Sequence, residues 1–314
     1  MSGVRVAAGL LDAQTTRFER VDPLLPPAAP PPEGHVLTAA LSKGDRVAGV
    51  LTYSNFTLGT ATTLWSALEV FELHPLLGAA GGAGMDALLR EWRHLLDRRH
   101  VDADSACLLT WPSRDAEAAR ALIAHGFAPL TCLAVRSVLA GDPGGRAPQA
   151  GVTVRLATAA DLDVVLALEL AELAYSALVG AAVVRPDAEA VKRAALTRHI
   201  DQGDPIWLAE RDGVVVGVAH CRLMDVTPEG LTGVRLRPGR WGYVNCVSVR
   251  DAVQGNGIGR ELMSVAHHEL HRRGATGTFL YYNPPNPLAS VFWARQGYRP
   301  LWTSWELRPA SALR

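Results

Sequence analysis

The amino-acid sequence predicts an α/β (α+β) protein of two tandem domains, because each half of the chain repeats one order of strand, glycine-rich loop, helix and strand. Gly82-x-Gly84 precedes a helical pattern in the first half, and Gly257-x-Gly259 does so in the second. These glycine pairs lie 175 residues apart, and the later pairs Gly126-Phe127 and Gly297-Tyr298 lie 171 residues apart. Two nearly equal offsets favour a duplicated unit over the repetition of strand, loop and helix that any α/β chain shows.

The composition is that of an ordinary globular protein. Of the 314 residues, 48% are hydrophobic and 20% are charged, and Lys+Arg and Asp+Glu are equal at 31 each, which gives a formal net charge of zero. This balance shows no electrostatic footprint for nucleic acid or for a membrane surface. Residues 1–20 lack the apolar core of an export signal and no apolar run reaches 18 residues, so we expect a cytoplasmic protein.

The cysteines all lie inside apolar, strand-like runs and none belongs to a C-x-x-C pair. They are Cys107, Cys132, Cys221 and Cys246. This placement favours buried free thiols over a zinc site, and we expect no bound metal.

In the first half, apolar and β-branched runs predict strands at 4–11, 36–41, 47–52, 60–73 and 105–110. Lys43-Gly44-Asp45 predicts a hairpin turn between the second and third of these strands. Residues 22–34 are dominated by proline and predict an extended loop. An amphipathic helix follows the loop 78–84 and a second helix spans 116–125. The apolar side of the first helix carries Leu88, Leu89, Trp92, Leu95 and Leu96.

A run of glycine and proline at 141–148 predicts the domain boundary. The domains are then 1–140 and 152–314, joined by a linker at 141–151. In the second half the predicted strands are 152–155, 206–210, 214–222, 243–249 and 278–282. Helices are predicted at 159–174 and 187–200, and two more begin near Ile258 and after Asn286.

The stretch 241–298 carries the main functional signal. An apolar strand at 243–249 leads into Gln254-Gly255-Asn256-Gly257-Ile258-Gly259-Arg260, and a helix begins inside that loop. Unpaired N–H groups converge at a helix N-terminus and the helix dipole favours negative charge, so this arrangement predicts an anion site. The site is not a P-loop, because no Gly-Lys-Ser/Thr follows, and the glycine spacing is not that of a dinucleotide-binding G-x-G-x-x-G loop.

The loop resembles that of the GNAT superfamily of acyl-CoA-dependent N-acyltransferases, which reads Arg/Gln-x-x-Gly-x-Gly/Ala. Gln254, Gly257 and Gly259 match it. The second family signature, Asn-x-x-Ala followed by an apolar helix and Gly-Phe/Tyr, is matched by Asn286, Ala289, Gly297 and Tyr298. The resemblance implies two tandem GNAT-like domains. Each has a mixed, mostly antiparallel sheet flanked by helices, and its fourth and fifth strands splay apart to form the cofactor cleft.

The resemblance also implies the activity. The protein is expected to move an acetyl group from acetyl-CoA, or an acyl group from another acyl-CoA, to a primary amine of a small molecule. The implied partners are that amine and the cofactor, with no nucleic acid and no membrane, and the chain is a monomer or a homodimer. The rival hypothesis is a non-catalytic CoA-binding or scaffold protein.

The cofactor-binding residues that the resemblance implies are Val247, Val249, Gln254, Gly255, Asn256, Gly257, Ile258, Gly259, Arg260, Asn286 and Trp293. Backbone groups of Val247 and Val249 would pair with the pantetheine arm, and the loop 255–260 would hold the pyrophosphate. Trp293 stands where many family members have a tyrosine that protonates the leaving thiolate. An indole N–H is not a useful proton source. The acid therefore stays open, with Ser290 and Tyr282 as alternatives.

The strand 241–249 has no carboxylate that could act as a base. A period of two places Tyr243, Asn245 and Val247 on one face of this strand and Val244, Cys246 and Ser248 on the other. Tyr243 and Asn245 are interpreted as residues that position the substrate or a water. His220, in the adjacent strand, is the candidate base by its intrinsic pKa, with a core histidine as the alternative. The candidate catalytic residues are thus Tyr243, Asn245, His220 and Ser290.

The first half departs from the family pattern at two positions. Ala79 stands in place of Gln254, and Asp115 in place of Asn286. A carboxylate at the second position would repel a pyrophosphate. We therefore expect the working site in the second half and a structural role for the first, with a second active site as the alternative.

Overall fold

The computed structural model describes residues 2–42, 44–137, 151–180, 182–228, 230 and 232–313. The glycine- and proline-rich run at 141–148 lies outside the described residues, as does Lys43 of the predicted hairpin turn. The helices are α1 Ser2–Val21, α2 Gly81–Leu96, α3 Ala116–Ala124, α4 Leu162–Leu178, α5 Ala188–Asp201, α6 Ile258–Arg272 and α7 Pro287–Arg295. None of the described helices is both long enough and apolar enough to span a membrane.

The strands are β1 His35–Ala40, β2 Arg46–Asn55, β3 Glu69–Leu76, β4 Ser105–Pro112, β5 Ala128–Ser137, β6 Val152–Leu156, β7 Ile206–Arg211, β8 Val214–Val226, β9 Gly239–Val249, β10 Gly277–Tyr282 and β11 Arg299–Leu307. Among the described residues these form one sheet, in the order β1-β2-β3-β4-β11-β5-β10-β9-β8-β7-β6. Only the pairs β3–β4 and β9–β10 are parallel. The sheet is therefore mixed and mostly antiparallel, as predicted.

The two halves exchange their last strands. β11, which ends the second half, lies between β4 and β5 of the first half. β5, which ends the first half, lies against β10 of the second. As a result Trp302 and Trp305 of β11 share a hydrophobic core with Phe71 and Leu109 of the first half. Both halves of the chain therefore contribute strands to one continuous sheet, and the duplication expected from the glycine offsets stays a prediction.

The strand predicted at 4–11 is wrong, because this segment lies within helix α1. Val4 and Val6 suggested a strand, but the contacts that fix the helix are made by residues after position 11. Gln14 and Phe18, four residues apart and on one helical face, are both buried. The Phe18 ring packs edge-on against the indole rings of Trp111 and Trp302, with centroids at 5.5 and 5.4 Å.

The strand predicted at 60–73 is only half correct. Residues Ala61–Leu64 form a short 3-10 helix and β3 begins at Glu69. Leu64 is turned toward the second half of the chain, where it packs against Leu173 and Ala188. That long-range contact is invisible in a local sequence pattern. The other predicted strands and helices are present with small shifts of their ends, whereas β5 and β11 were not predicted.

Candidate active site

A splayed pair of strands forms the cleft. β9 and β10 pair only from Trp241 opposite Gly277 to Val244 opposite Leu280, and beyond this point β9 keeps only its other neighbour, β8. The Arg250 N–H donates to the Val216 carbonyl at 2.9 Å. By the alternation of an antiparallel ladder, the N–H and C=O groups of Val247 and Val249 then point away from β8, toward the open edge. This edge can receive an extended, amide-containing chain as an added strand.

A β-bulge at Asn245 changes which side chains share a face of β9. His220 pairs with Cys246 and Cys221 pairs with Val244, so Asn245 has no counterpart in β8. The predicted faces are therefore wrong beyond this point, because the extra residue reverses the alternation. The register instead places Tyr243, Cys246 and Ser248 on the face toward α4, and Val244, Val247 and Val249 on the face toward α6.

The glycine loop leads into the N-terminus of α6. Gly257 caps this helix in a left-handed conformation with φ 84°, and Gly255 has φ 80°. The N–H groups of Ile258, Gly259 and Arg260 occupy the first turn and have no intrahelical partner. Ile258 is buried and anchors the turn, while Arg260 is exposed. Chain direction, conformation and exposure here suit a phosphate-bearing ligand.

Gln254 fastens the loop to the strand edge. Its side-chain amide donates to the Val249 carbonyl at 3.0 Å and to an Asp251 carboxylate oxygen at 2.8 Å. The Val249 carbonyl is therefore already hydrogen-bonded within the chain. Asn256 is exposed at the tip of the loop.

The residues predicted on α7 have structural roles at the start and core of this helix. The Asn286 side chain accepts hydrogen bonds from the N–H groups of Leu288 and Ala289, both at 3.0 Å, and so caps α7. The Ser290 hydroxyl lies 3.2 Å from the carbonyls of Pro284 and Asn286. Its use as an acid would require it to leave these acceptors.

Trp293 is 9% exposed and packs edge-on against Tyr298, with ring centroids 5.4 Å apart. The indole therefore belongs to the core under α6 and α7. Tyr243 is stacked on Phe279, with centroids 4.9 Å apart, and burial raises the pKa of its phenol well above the usual range.

A buried polar network lies on the α4 face of the sheet. The Glu169 carboxylate contacts His220 Nδ1 at 2.7 Å and Lys192 Nζ at 3.2 Å, and the His220 side chain is only 1% exposed. Burial alone would raise the pKa of Glu169, but the hydrogen bond from His220 and the charge of Lys192 outweigh it and hold this pKa at about 2. An ionised carboxylate only accepts hydrogen bonds, so His220 Nδ1 carries the hydrogen.

His220 also lies beside the bulge, because the Asn245 side-chain amide is 3.2 Å from its Nδ1. Its other ring nitrogen, Nε2, is buried without a hydrogen-bond partner among the described residues. An amine in the cleft therefore meets the exposed Asn245 before it meets His220. Cys246 is buried on the same face, and burial raises the pKa of its thiol, which favours a core role over a nucleophilic one.

A second pair of side chains extends this network away from the cleft. His199 Nδ1 lies 2.8 Å from the Asp204 carboxylate, and the His199 and His220 rings pack edge-on at 5.0 Å. His199, Asp204 and His220 are all residues of metal-ligating types, and their ligand atoms lie within 4.8 Å of one another. The guanidinium of Arg222 lies 3.1 Å from Asp204, however, and already supplies positive charge there.

Residues 169–298 match the model of the acetyltransferase (GNAT) family. This part of the chain therefore carries a GNAT acetyltransferase domain. It is therefore an acyl-CoA-dependent N-acetyltransferase in the general sense of that family, and the strand edge and helix N-terminus described above fit such a cofactor. No curated protein sequence matches the chain significantly.

A solved GCN5-related N-acetyltransferase from Sphaerobacter thermophilus shares the fold along nearly the whole chain. The TM-score is 0.58 at 15% identity, and the match covers 97% of this chain and 93% of the other. Two further structures match about half of this chain. One is an acetyltransferase from Clostridium acetobutylicum with acetyl-CoA (TM-score 0.39, 17% identity, 47% of this chain and 90% of that one). The other is an aminoglycoside N-acetyltransferase with CoA (TM-score 0.39, 12% identity, 50% and 91%).

In the first half of the chain, helix α1 lies against the edge of β3 and the start of α2, which correspond in order to β9 and α6 of the second half. The Gln14 side chain accepts a hydrogen bond from the Leu77 N–H at 2.8 Å and donates to the Pro75 carbonyl at 3.2 Å. It therefore satisfies the edge of β3 that corresponds to the open edge of β9. A Cβ added to Gly81, in the first turn of α2, would lie 2.9 Å from the guanidinium nitrogens of Arg17.

Asp115 is part of the same blockage. Its carboxylate binds Arg17 through two contacts of 2.8 and 2.7 Å, accepts from the Trp111 indole at 2.9 Å and caps α3 by accepting from the Ala118 N–H at 3.3 Å. Burial would raise the pKa of Asp115, but the bonds from Arg17 and Trp111 lower it. The Asp115 charge, which we expected to repel a pyrophosphate, is thus neutralised by Arg17. A cofactor would instead be excluded from this position because the side chain of Arg17 fills the space.

The first half also contributes to the acceptor side of the second. Lys192 Nζ lies 5.7 Å from the centre of the Trp65 ring, and the Leu64 carbonyl accepts from the Val183 N–H at 2.8 Å. Arg185 binds Asp104 at 2.8 Å. The connection between α4 and α5 is therefore held against the first half of the chain. Both halves thus contribute residues to the surroundings of Glu169 and Lys192.

Sequence reasoning missed Glu169, Glu172 and Lys192. Helix α4 is strongly apolar, and Glu169 and Glu172 interrupt its apolar face three residues apart. Charged residues on the buried stripe of an apolar helix are rare unless they are paired. The two glutamates on this apolar face were therefore the signal in the sequence that could have indicated a buried polar network.

Proposed function

We propose that the protein transfers an acetyl group from acetyl-CoA to a primary amine of a small molecule, with its working site in the second half of the chain. The splay of β9 from β10 carries this proposal. It exposes Val247 and Val249 on one edge, leads directly into the open N-terminus of α6, and meets the polar network at the bulge.

When bound, acetyl-CoA supplies an activated acetyl thioester. The chain's own groups would bind and orient it. The first-turn N–H groups of residues 258–260 would bind the phosphates, and the edge at Val247 would receive the pantetheine arm. The left-handed conformation of Gly255 and Gly257 keeps the loop in place. Asn286 and Trp293 support this site by fixing the helix that packs behind α6.

The acceptor would enter from the α4 face of the sheet. Tyr243 and Asn245 position the amine there, and the Asn245 side-chain nitrogen lies 3.2 Å from His220 Nδ1. A thiolate with a pKa of about 8.5 leaves without an obligatory acid, so the buried Trp293 is compatible with turnover. Ser290 would serve as an acid only after its hydroxyl leaves the carbonyls of Pro284 and Asn286.

We further propose a cytoplasmic enzyme, monomeric or homodimeric. Its formal net charge of zero gives no electrostatic reason to expect a nucleic-acid or membrane partner. An acyl-CoA longer than acetyl-CoA is the nearest alternative cosubstrate. The non-catalytic scaffold is the second candidate function, and the burial of Trp293 in place of a tyrosine favours it.

Turnover separates the two candidates. The purified chain would be incubated with acetyl-CoA and a panel of small primary amines, and release of free CoA thiol would be followed together with acetylamine formation by mass spectrometry. The proposal expects both products in equal amounts. Tight acetyl-CoA binding with no turnover across the panel would support the scaffold.

A further inference from the structure

Helix α4 presents a second acidic residue beside the cleft. Val165, Leu168, Glu169, Leu173 and Ser176 form the buried stripe of this helix. Glu172 lies between Leu168 and Ser176 at helical spacing, and so on the same stripe, but it is only partly buried. The Ser176 hydroxyl donates to its Oε1 at 2.6 Å.

The chemistry needs a proton acceptor on this face, and the other candidates are either engaged or buried. Glu169 is bonded to both His220 and Lys192. His220 is only 1% exposed, so its Nε2, which has no hydrogen-bond partner among the described residues, is buried away from a ligand in the cleft. Among the described residues Glu172 accepts one hydrogen bond, from Ser176, and its side chain is only partly buried, which leaves its second oxygen available as a proton acceptor.

The surroundings of Glu172 tune its proton affinity toward that of a base. Burial raises its pKa, and the Ser176 hydrogen bond and the Lys192 charge from α5 oppose this effect. Glu169, on α4 itself, raises it further. Tyr243 and Cys246, on the β9 face opposite, interact with Glu172 electrostatically, and Arg222 of β8 acts on Tyr243 from the same side.

We infer that Glu172 is the general base and takes the proton of the acceptor amine. In the step, the amine nitrogen forms a bond to the acetyl carbon, the carbon–sulfur bond breaks, and the electron pair leaves with sulfur as the CoA thiolate. One N–H proton passes to the Glu172 carboxylate. This assignment rests on the proposed function and names the residue that β9 lacks.

The test compares Glu172→Gln with wild type across pH. We expect kcat/KM to fall about 10²-fold or more in the variant, the acid limb of the pH profile to disappear, and acetyl-CoA affinity to stay the same. The loss should be smaller with hydroxylamine, which is neutral at the assay pH. Glu189→Gln, at an exposed position on α5, is the matched control and should leave rate and profile unchanged.

A second variant tests the assignment without removing the carboxylate. Ser176→Ala deletes the hydrogen bond that lowers the pKa of Glu172, so the acid limb of kcat/KM should move to higher pH. The carboxyl titration of Glu172 in the unliganded protein, followed by carbon-13 NMR, should move in the same direction. A carboxyl titration that moves while the acid limb stays in place would overturn the assignment of Glu172 as the base.

The outcomes distinguish the two levels of the hypothesis. If the wild-type protein is active and Glu172→Gln keeps both this activity and the acid limb, only the assignment of the base is overturned. Wild type inactive on every amine would overturn the proposed function, and the assignment with it.

Discussion

The buried pair Glu169–His220 and its partner Lys192 allow a quantitative prediction on stability. Glu169 is 4% exposed, so solvent screens its interactions little. Its pKa is lowered from 4.5 in the reference state to about 2 in the folded protein. At about 1.4 kcal/mol per pKa unit, this difference corresponds to about 3 kcal/mol of folding free energy at neutral pH.

The sign of the pH dependence follows from the depressed pKa. The unfolded chain binds the proton more tightly, so the contribution of Glu169 is fully present above pH 4.5 and is lost as the pH falls toward 2. Glu169→Gln keeps the shape of the side chain and removes its charge. It leaves Lys192 buried without its partner, so we expect a loss of about 3 kcal/mol at pH 7.

Urea unfolding of both proteins at pH 7 and at several values down to pH 3 measures this effect. The difference between wild type and Glu169→Gln should be largest at neutral pH and should shrink as the pH falls. The double variant Glu169→Gln/Lys192→Met removes both charges and should regain part of the stability. A difference below 1 kcal/mol at pH 7, or one independent of pH, would refute the argument.

Three further predictions concern the cofactor. Gly257→Val puts a branched side chain at a left-handed position in front of the α6 N-terminus. Calorimetric titration should then show that acetyl-CoA binding is lost, while circular dichroism shows that the fold is retained. Unchanged affinity would contradict the anion site. Trp293→Tyr should retain acetyl-CoA binding and turnover. Because the indole fills core space, the variant should be less stable by about 1–2 kcal/mol in thermal unfolding. Loss of cofactor binding would show that α7 lines the site directly. Native mass spectrometry should find one acetyl-CoA per chain and none in Gly257→Val, because Gln14 and Arg17 cover the first-half cleft; two bound cofactors would overturn this assignment.

Local sequence pattern determined much of the second half. The glycines at 255, 257 and 259, the strand before them and the helix after them were all predictable, because left-handed turns and helix starts depend on residues close together in the chain. The family signatures around Gln254 and Asn286 added the fold and the class of chemistry. The glycine offsets indicated the duplication.

The tertiary structure decided how those parts work together. The exchange of β5 and β11 joins the repeats into one sheet through contacts between residues far apart in the chain, which no local pattern encodes. The bulge at Asn245 turns Cys246 toward α4 and Val247 toward α6, because one extra residue reverses a period of two. Helix α1 covers the first cleft through Gln14 and Arg17, although its sequence had suggested a strand.

The acidic groups of α4 depended most on the fold. Nothing in the sequence places Glu169 beside His220, fifty-one residues later, or Glu172 opposite β9. Their protonation follows from burial and from neighbours on other elements, and these are set only when α4 and α5 pack on the sheet. The sequence predicted a cofactor loop, and the packing buried Glu169 among its partners while it left Glu172 only partly buried.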